Sequence, residues 1–303
     1  MNKTKKVLWF AAPLAPMVLA IAAACGGAND NLPPPPPPPP APPAAESSSA
    51  APAPTASAPP PAASQAAPPP PPVQLTQGIA SPDPAPPLPT VKIVAPAKDQ
   101  VIAADKSADF AIKLDVKNWK TAQGDAHVHL ILDDKPYKPI YDPKAPLKLS
   151  DLTGADTLAP GQHILVAFPS RANHESVKTK GAVAVTEFWI GKKGDKAQDV
   201  AKPLVVYSRP KGEYKGDMAN HVLVDFQLVN DTLAADKDHV HITVSGPGID
   251  GEKSADATSF GAPFYLDNLQ DGSYDIKLDL LGADGKPLPG PWNSTKRTIT
   301  IAH

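Results

Sequence analysis

From Val91 onward the chain alternates between apolar and polar positions with a period of two. Phe110, Ile112, Leu114 and Val116 share one face of a segment, and Val128, Leu130 and Leu132 share one face of the next. Further on, Val222, Val224, Phe226 and Leu228 repeat the pattern, then Val240, Ile242 and Val244. Tyr274, Ile276, Leu278 and Leu280 alternate with Ser273, Asp275, Lys277 and Asp279. A period of two predicts half-buried strands. Pro160-Gly161, Asp271-Gly272 and Asp284-Gly285 supply turns at short spacing, which is the pattern of an all-β sandwich.

The pattern occurs twice. Phe110–Asn118 aligns with Val222–Asn230 at an offset of 112, and His127-Val128-His129 falls on His239-Val240-His241 at the same offset. Leu158–His163 falls on Leu269–Tyr274 at an offset of 111. A period this long suits a complete small domain. Each copy has about seven strands and no convincing helix. Tyr274, just after Asp271-Gly272, resembles the tyrosine corner of immunoglobulin-like domains. The fold expected is therefore all-β: two tandem immunoglobulin-like β-sandwiches, residues 91–191 and 203–303. A polar joint separates them, and the second copy is expected to fold by itself.

The segment before Val91 is different in kind. Of the 41 prolines in 303 residues, 25 lie between Pro33 and Pro89, and residues 26–90 contain no Lys, Arg or aromatic residue. Such a segment buries too little apolar surface to offset its ordering entropy, so it is expected to be a disordered tether. Residues 1–25 carry Lys3, Lys5 and Lys6, an apolar run from Val7 to Ala20, and small residues up to Cys25. That order is a secretory signal. Its end resembles the lipobox of bacterial lipoproteins, with Ala22 where leucine is commoner. The resemblance implies lipid attachment at Cys25, the only cysteine, and hence a membrane partner at the bacterial cell envelope.

Charge adds an exclusion. Without the three leader lysines the chain has 26 basic and 31 acidic residues, a net of −5, and no basic stripe. Nucleic acid is not an expected partner.

The sharpest chemical feature is the pair of His-x-His strands. With Val128, Leu130 and Leu132 inward, His127 and His129 face outward, as do His239 and His241. In an immunoglobulin-like topology this strand lies beside the sixth. Its outward residues are Ile164, Val166 and Phe168 in copy one, an apolar face needing a cover from the other domain or a ligand. Together with Arg171 and His174 of the following turn, these residues are a candidate binding face. In copy two the outward residues are Asp275, Lys277 and Asp279. A zinc or copper site would there draw on His239, His241, Asp275 and Asp279, and this face is expected to stay wet. The bland alternative is that the histidines only decorate a sheet.

His127-Val128-His129-Leu130, with Leu158-Ala-Pro-Gly-Gln-His163-Ile-Leu165 and Asn173-His174, resembles a small domain of unknown function found in exported bacterial proteins. The resemblance covers most of copy one, and copy two has Tyr274 in place of the turn histidine. It implies no established activity. With no hydrolase elbow, P-loop or H-E-x-x-H motif, the expectation is a non-catalytic, lipid-anchored envelope protein without a required cofactor. It would present two binding or spacer modules to an envelope protein or glycan. A periplasmic zinc- or copper-binding protein is the alternative, and a hydrolase the second.

Overall fold

The computed structural model describes residues 68–154 and 158–303. The signal segment, Cys25 and the tether up to residue 67 lie outside them.

The first strand, β1 (Gln74–Gln77), falls within the segment assigned to the tether. Copy one then runs through β2 (Thr90–Ala95), β3 (Gln100–Ile102), β4 (Lys113–Lys117), β5 (His127–Leu132), β6 (Lys138–Ile140), β7 (Gly161–Ser170) and β8 (Ala184–Ile190). Strands β2 and β4 form a small sheet, packed on a five-stranded sheet in the order β3-β8-β7-β5-β6. Copy two repeats the plan with β9 (Leu204–Arg209), β10 (Gly212–Lys215), β11 (His221–Val229), β12 (His239–Ser245), β13 (Lys253–Ala257), β14 (Phe264–Asp267), β15 (Gly272–Leu281) and β16 (Ser294–Ala302). Its five-stranded sheet has the order β10-β16-β15-β12-β13. Strand β5 lies beside β7, and β12 beside β15, as an immunoglobulin-like sandwich requires. The one α-helix among the described residues is a four-residue turn, Ser150–Thr153.

The period-two residues pack as their pattern requires. Val128, Leu130 and Leu132 join Leu165, Ala167 and Phe188 in the core of copy one. Tyr274, Ile276, Leu278 and Leu280 join Val222, Val224 and Ile242 in the core of copy two. The Tyr274 hydroxyl accepts from Gln270 N at 2.8 Å and donates to Pro247 O at 2.8 Å, closing a tyrosine corner. Gly246 backs that ring at φ 153, where a Cβ would lie 2.4 Å from the Tyr274 ring. A side chain there would force the corner open.

Two expectations need correction. The tether does not extend to residue 90, because β1 pairs antiparallel with β14 and completes a four-stranded sheet in copy two, β1-β14-β11-β9. Val73 is buried in the core of copy two, with Leu75 packed against it. The physical reason is local: Val73-Gln-Leu-Thr interrupts the proline tract with donors and apolar groups that an unpaired edge strand can use. The chain then crosses to copy one, where Ser81 donates through its N at 3.0 Å and its hydroxyl at 2.5 Å to Glu175, and Arg171 donates to Pro82 O at 2.6 Å. Residues 68–90 thus strap one sandwich to the other.

The second correction concerns independence. Copy two has eight strands of its own, but β1 adds the edge strand of its smaller sheet from outside residues 203–303, and its face meets copy one in a third apolar cluster. Ile164, Val166, Phe168 and Ile131 of copy one pack with Leu204, Val206 and Trp292. Strand β9 is apolar on both faces: Val205 and Tyr207 enter the core of copy two, while Leu204 and Val206 enter the interface. Polar pairs surround this cluster. Lys178 pairs with buried Asp225, Gln227 donates to Val177 O at 2.8 Å, and Arg297 meets Asp134 at 3.2 Å.

Candidate functional site

The covered face of copy one holds a cluster of three histidines. Antiparallel register sets His127 opposite Ser170, at the end of β7. The chain then turns through Arg171–His174, with His174 N donating to Arg171 O at 2.9 Å, and brings His174 back over the start of β5. His174 sits at φ 68, a left-handed conformation that is costly for most side chains and clusters at functional sites.

His127 Nε2 lies 3.0 Å from His129 Nε2 and 3.1 Å from His174 Nδ1. Among the described residues these three are the group whose ligand atoms all fall within 4.8 Å of one another. His127 and His129 are fully buried, and His174 is partly exposed. Their outer partners come from both sandwiches. His127 Nδ1 donates to Asp125 O at 2.7 Å. His129 Nδ1 meets Ser208 Oγ of β9 at 3.0 Å. The Tyr137 hydroxyl lies 3.2 Å from His174 Nδ1, and its ring stacks on His129 with centroids 3.5 Å apart.

The electrostatics keep these rings neutral. Burial, reinforced by the neighbouring imidazoles, holds His129 well below the ordinary histidine value. Burial and the charge of Arg209 push His174 down to about 3, and burial lowers His127. Neutral imidazole is the metal-ligating form. Arg209 and Lys211 lie against Tyr137, with Lys211 Nζ 3.8 Å from its ring centroid.

The other singled-out residues are placed differently. Ile164, Val166 and Phe168 are buried against the second sandwich, and Arg171 holds the strap, so this face is closed by the chain itself. The metal set expected in copy two is not brought together. Asp279 stands opposite His241, but Asp275 stands opposite Ser245, four residues farther along β12. At about 3.3 Å per residue that is roughly 13 Å. His241 instead pairs with Asp256 at 2.6 Å, Asp275 with Lys296 and Thr298, and Asp279 with Ser294. The face is wet at Asp275 and Lys277, but Asp279 is only 8 % exposed because Ser294 and Lys277 cover it. The copy-two turn matching Arg171–His174 carries Asp284-Gly285-Lys286 and adds no third imidazole.

His163 is a separate case, buried at the rim of the copy-one core beside Phe188. Its Nδ1 faces Asp133 at 2.6 Å and its Nε2 faces Ala159 O at 2.8 Å, two acceptors that favour the doubly protonated ring. Burial alone would lower its pKa, but these two bonds and the Asp133 charge raise it above 6.5. A raised histidine stabilises fully below the unfolded value, and that contribution is lost as pH rises through the folded value. An NMR titration should give a His163 midpoint above about 6.5. His163→Gln should flatten the loss of stability on the alkaline side. A midpoint below the unfolded value contradicts this assignment.

Sequence reasoning placed all three clustered histidines on one candidate binding face but assigned the metal chemistry to copy two and did not foresee that these three rings meet. The signal available was the register: a strand beginning at His127 beside one ending near Ser170. Tyr137 and Ser208 were missed, since neither stands in a pattern of its own.

No protein-family model and no curated protein matches the chain. Among solved structures it is similar to fibronectin(III)-like modules of Clostridium thermocellum CbhA, at 14 % identity over 70 % of this chain and 94 % of that one, with a TM-score of 0.24. It is also similar to the chicken CNTN1 FN1–FN3 domains, at 9 % identity over 70 % of this chain and 65 % of that one, with a TM-score of 0.22. The two tandem V-type regions of VCBP3, a v-region-containing chitin binding protein, match at 8 % identity over 71 % of this chain and 99 % of that one, with a TM-score of 0.21.

Proposed function

We propose that this chain is an exported, non-catalytic protein, lipid-anchored at Cys25, that holds a two-sandwich body away from a membrane on a proline-rich tether. The observation that carries this reading is the strap. The chain leaving the tether docks first on copy two as β1, then crosses to copy one through Ser81 and Pro82. A pull on the tether therefore reaches both sandwiches, whose shared apolar interface makes them one body. The leader pattern ending at Cys25 supports the anchor, and residues 26–67 supply the reach. At about 3.1 Å per residue in an extended polyproline conformation, 42 residues span at most roughly 130 Å.

The chemistry near the interface favours presentation over catalysis. The cavity of about 440 Å³ beside His163 is lined by Asp133, Asp134 and Ser294. His163 spends both ring nitrogens on Asp133 and Ala159, and Ser294 donates to Asp279. No imidazole nitrogen is thereby left to activate the Ser294 hydroxyl, so the cavity lining holds no Ser–His pair.

The anchor is tested by mass and fractionation. The mature chain should exceed the polypeptide beginning at Cys25 by a lipid moiety, and Cys25→Ser should move it from the membrane to the soluble fraction. An unmodified cysteine in the mature chain overturns the anchor.

A further inference from the structure

We propose that His127, His129 and His174 bind one divalent borderline metal ion, Zn²⁺ foremost, in a site of copy one that Ser208 of copy two braces across the interface. This proposal does not depend on attachment at Cys25.

Three imidazole nitrogens converge from two separate chain segments onto one point between the sandwiches. Zinc–nitrogen bonds of about 2.0–2.1 Å at tetrahedral angles place ligand nitrogens roughly 3.3 Å apart. The observed separations of 3.0 and 3.1 Å from His127 Nε2 are close to that. Three neutral imidazoles suit zinc and copper better than magnesium or calcium, which take oxygen.

The outer hydrogen bonds decide whether the lone pairs can turn inward. Asp125 O can only accept, so His127 must carry its proton on Nδ1, and its Nε2 lone pair points at the cluster. Ser208 Oγ can donate or accept. When it donates to His129 Nδ1, His129 Nε2–H donates to His127 Nε2, and the metal-free relay is satisfied. When it accepts, His129 shifts its proton to Nδ1 and frees Nε2 for a metal, with no net charge change. Carbonyl and hydroxyl groups in this position orient and strengthen metal-ligating histidines. Because Ser208 belongs to β9 of copy two, binding in copy one is linked to the interface. The charges of Arg209 and Lys211 oppose a divalent ion here, so the three nitrogens must supply the affinity.

Three properties distinguish this cluster from ordinary buried histidines. Two complete side chains are withdrawn from water without a carboxylate partner. The third is delivered by a residue held at φ 68. The repeat lacks it, although the His-x-His strand is present there.

The test uses the full chain titrated with Zn²⁺, and with Co²⁺ as a spectroscopic substitute. Wild type should bind one equivalent, show the visible band of four-coordinate Co²⁺, and gain thermal stability with Zn²⁺. His174→Asn keeps a residue type tolerant of the left-handed backbone and alters a partly exposed side chain, so folding should survive. It should lower affinity about 100-fold and abolish the Zn²⁺-dependent stabilisation. Ser208→Ala should lower affinity roughly 10- to 100-fold. His239→Ala with His241→Ala should leave binding unchanged. Failure of wild type to bind stoichiometrically at tens of micromolar metal, or equal binding by His174→Asn, would overturn the site and leave a hydrogen-bonded relay only.

Discussion

Replacing Phe168 by alanine should cost about 3–5 kcal/mol of unfolding free energy, as fully buried phenylalanines do when truncated. Phe168 is 0 % exposed, belongs to the cluster shared with Leu204, Val206 and Trp292, and meets His129 edge-on at 5.4 Å between ring centroids. It lies outside both sandwich cores. Were the copies only tethered, the ring would stand on an open sheet and its loss would cost little. Urea denaturation of Phe168→Ala beside wild type measures the difference. Ile79→Ala, at a residue 92 % exposed, should stay within about 0.5 kcal/mol of wild type. A loss below about 1 kcal/mol at Phe168 would mean that the face is not closed in solution.

The second large effect concerns copy two alone. Residues 203–303 lack β1 and Val73, and they expose Leu204 and Val206, which are 2 %, 0 % and 0 % exposed in the intact unit. At about 1.5–3 kcal/mol for each fully buried side chain, the fragment forgoes roughly 5–9 kcal/mol. That is comparable with the whole stability of an ordinary domain. Asp225 and Gln227 also lose Lys178 and Val177 O as partners, and water takes their place. The fragment should therefore show no cooperative thermal transition, while residues 68–303 should melt in one. A fragment that melts cooperatively within a few degrees of the longer chain would show that the strap and interface contribute little.

The strands of the two copies and the facing of their period-two residues were legible because they depend on a local period, whereas β1 in the proline tract was not. His127 and His129 point away from Val128, Leu130 and Leu132 for the same reason that any strand alternates. The apolar character of Ile164, Val166 and Phe168 was equally plain, and with it the need for a cover. The four residues named for a metal in copy two do not converge, because position along a strand matters as well as face: Asp275 and His241 share a face and stand four residues apart. The cluster in copy one was readable as a shared face but not as a meeting of three rings, since that required the register of β5 with β7.

By itself the sequence determined the fold class, the two copies, the inward and outward faces and the leader pattern, because each is written in spacing of a few residues or in composition. Tertiary structure alone decided what covers the outward face of copy one, where the tether ends, and which histidines meet. The covering residues, Leu204 and Val206, alternate with core residues on β9 and look like any fully buried strand. The strap residues sit within a proline-rich tract whose composition argues against order, and only the open edge of β14, some 190 residues later, gives them a partner. Pairings at such separations depend on how strands line up across the whole body, and local patterns carry no record of that alignment.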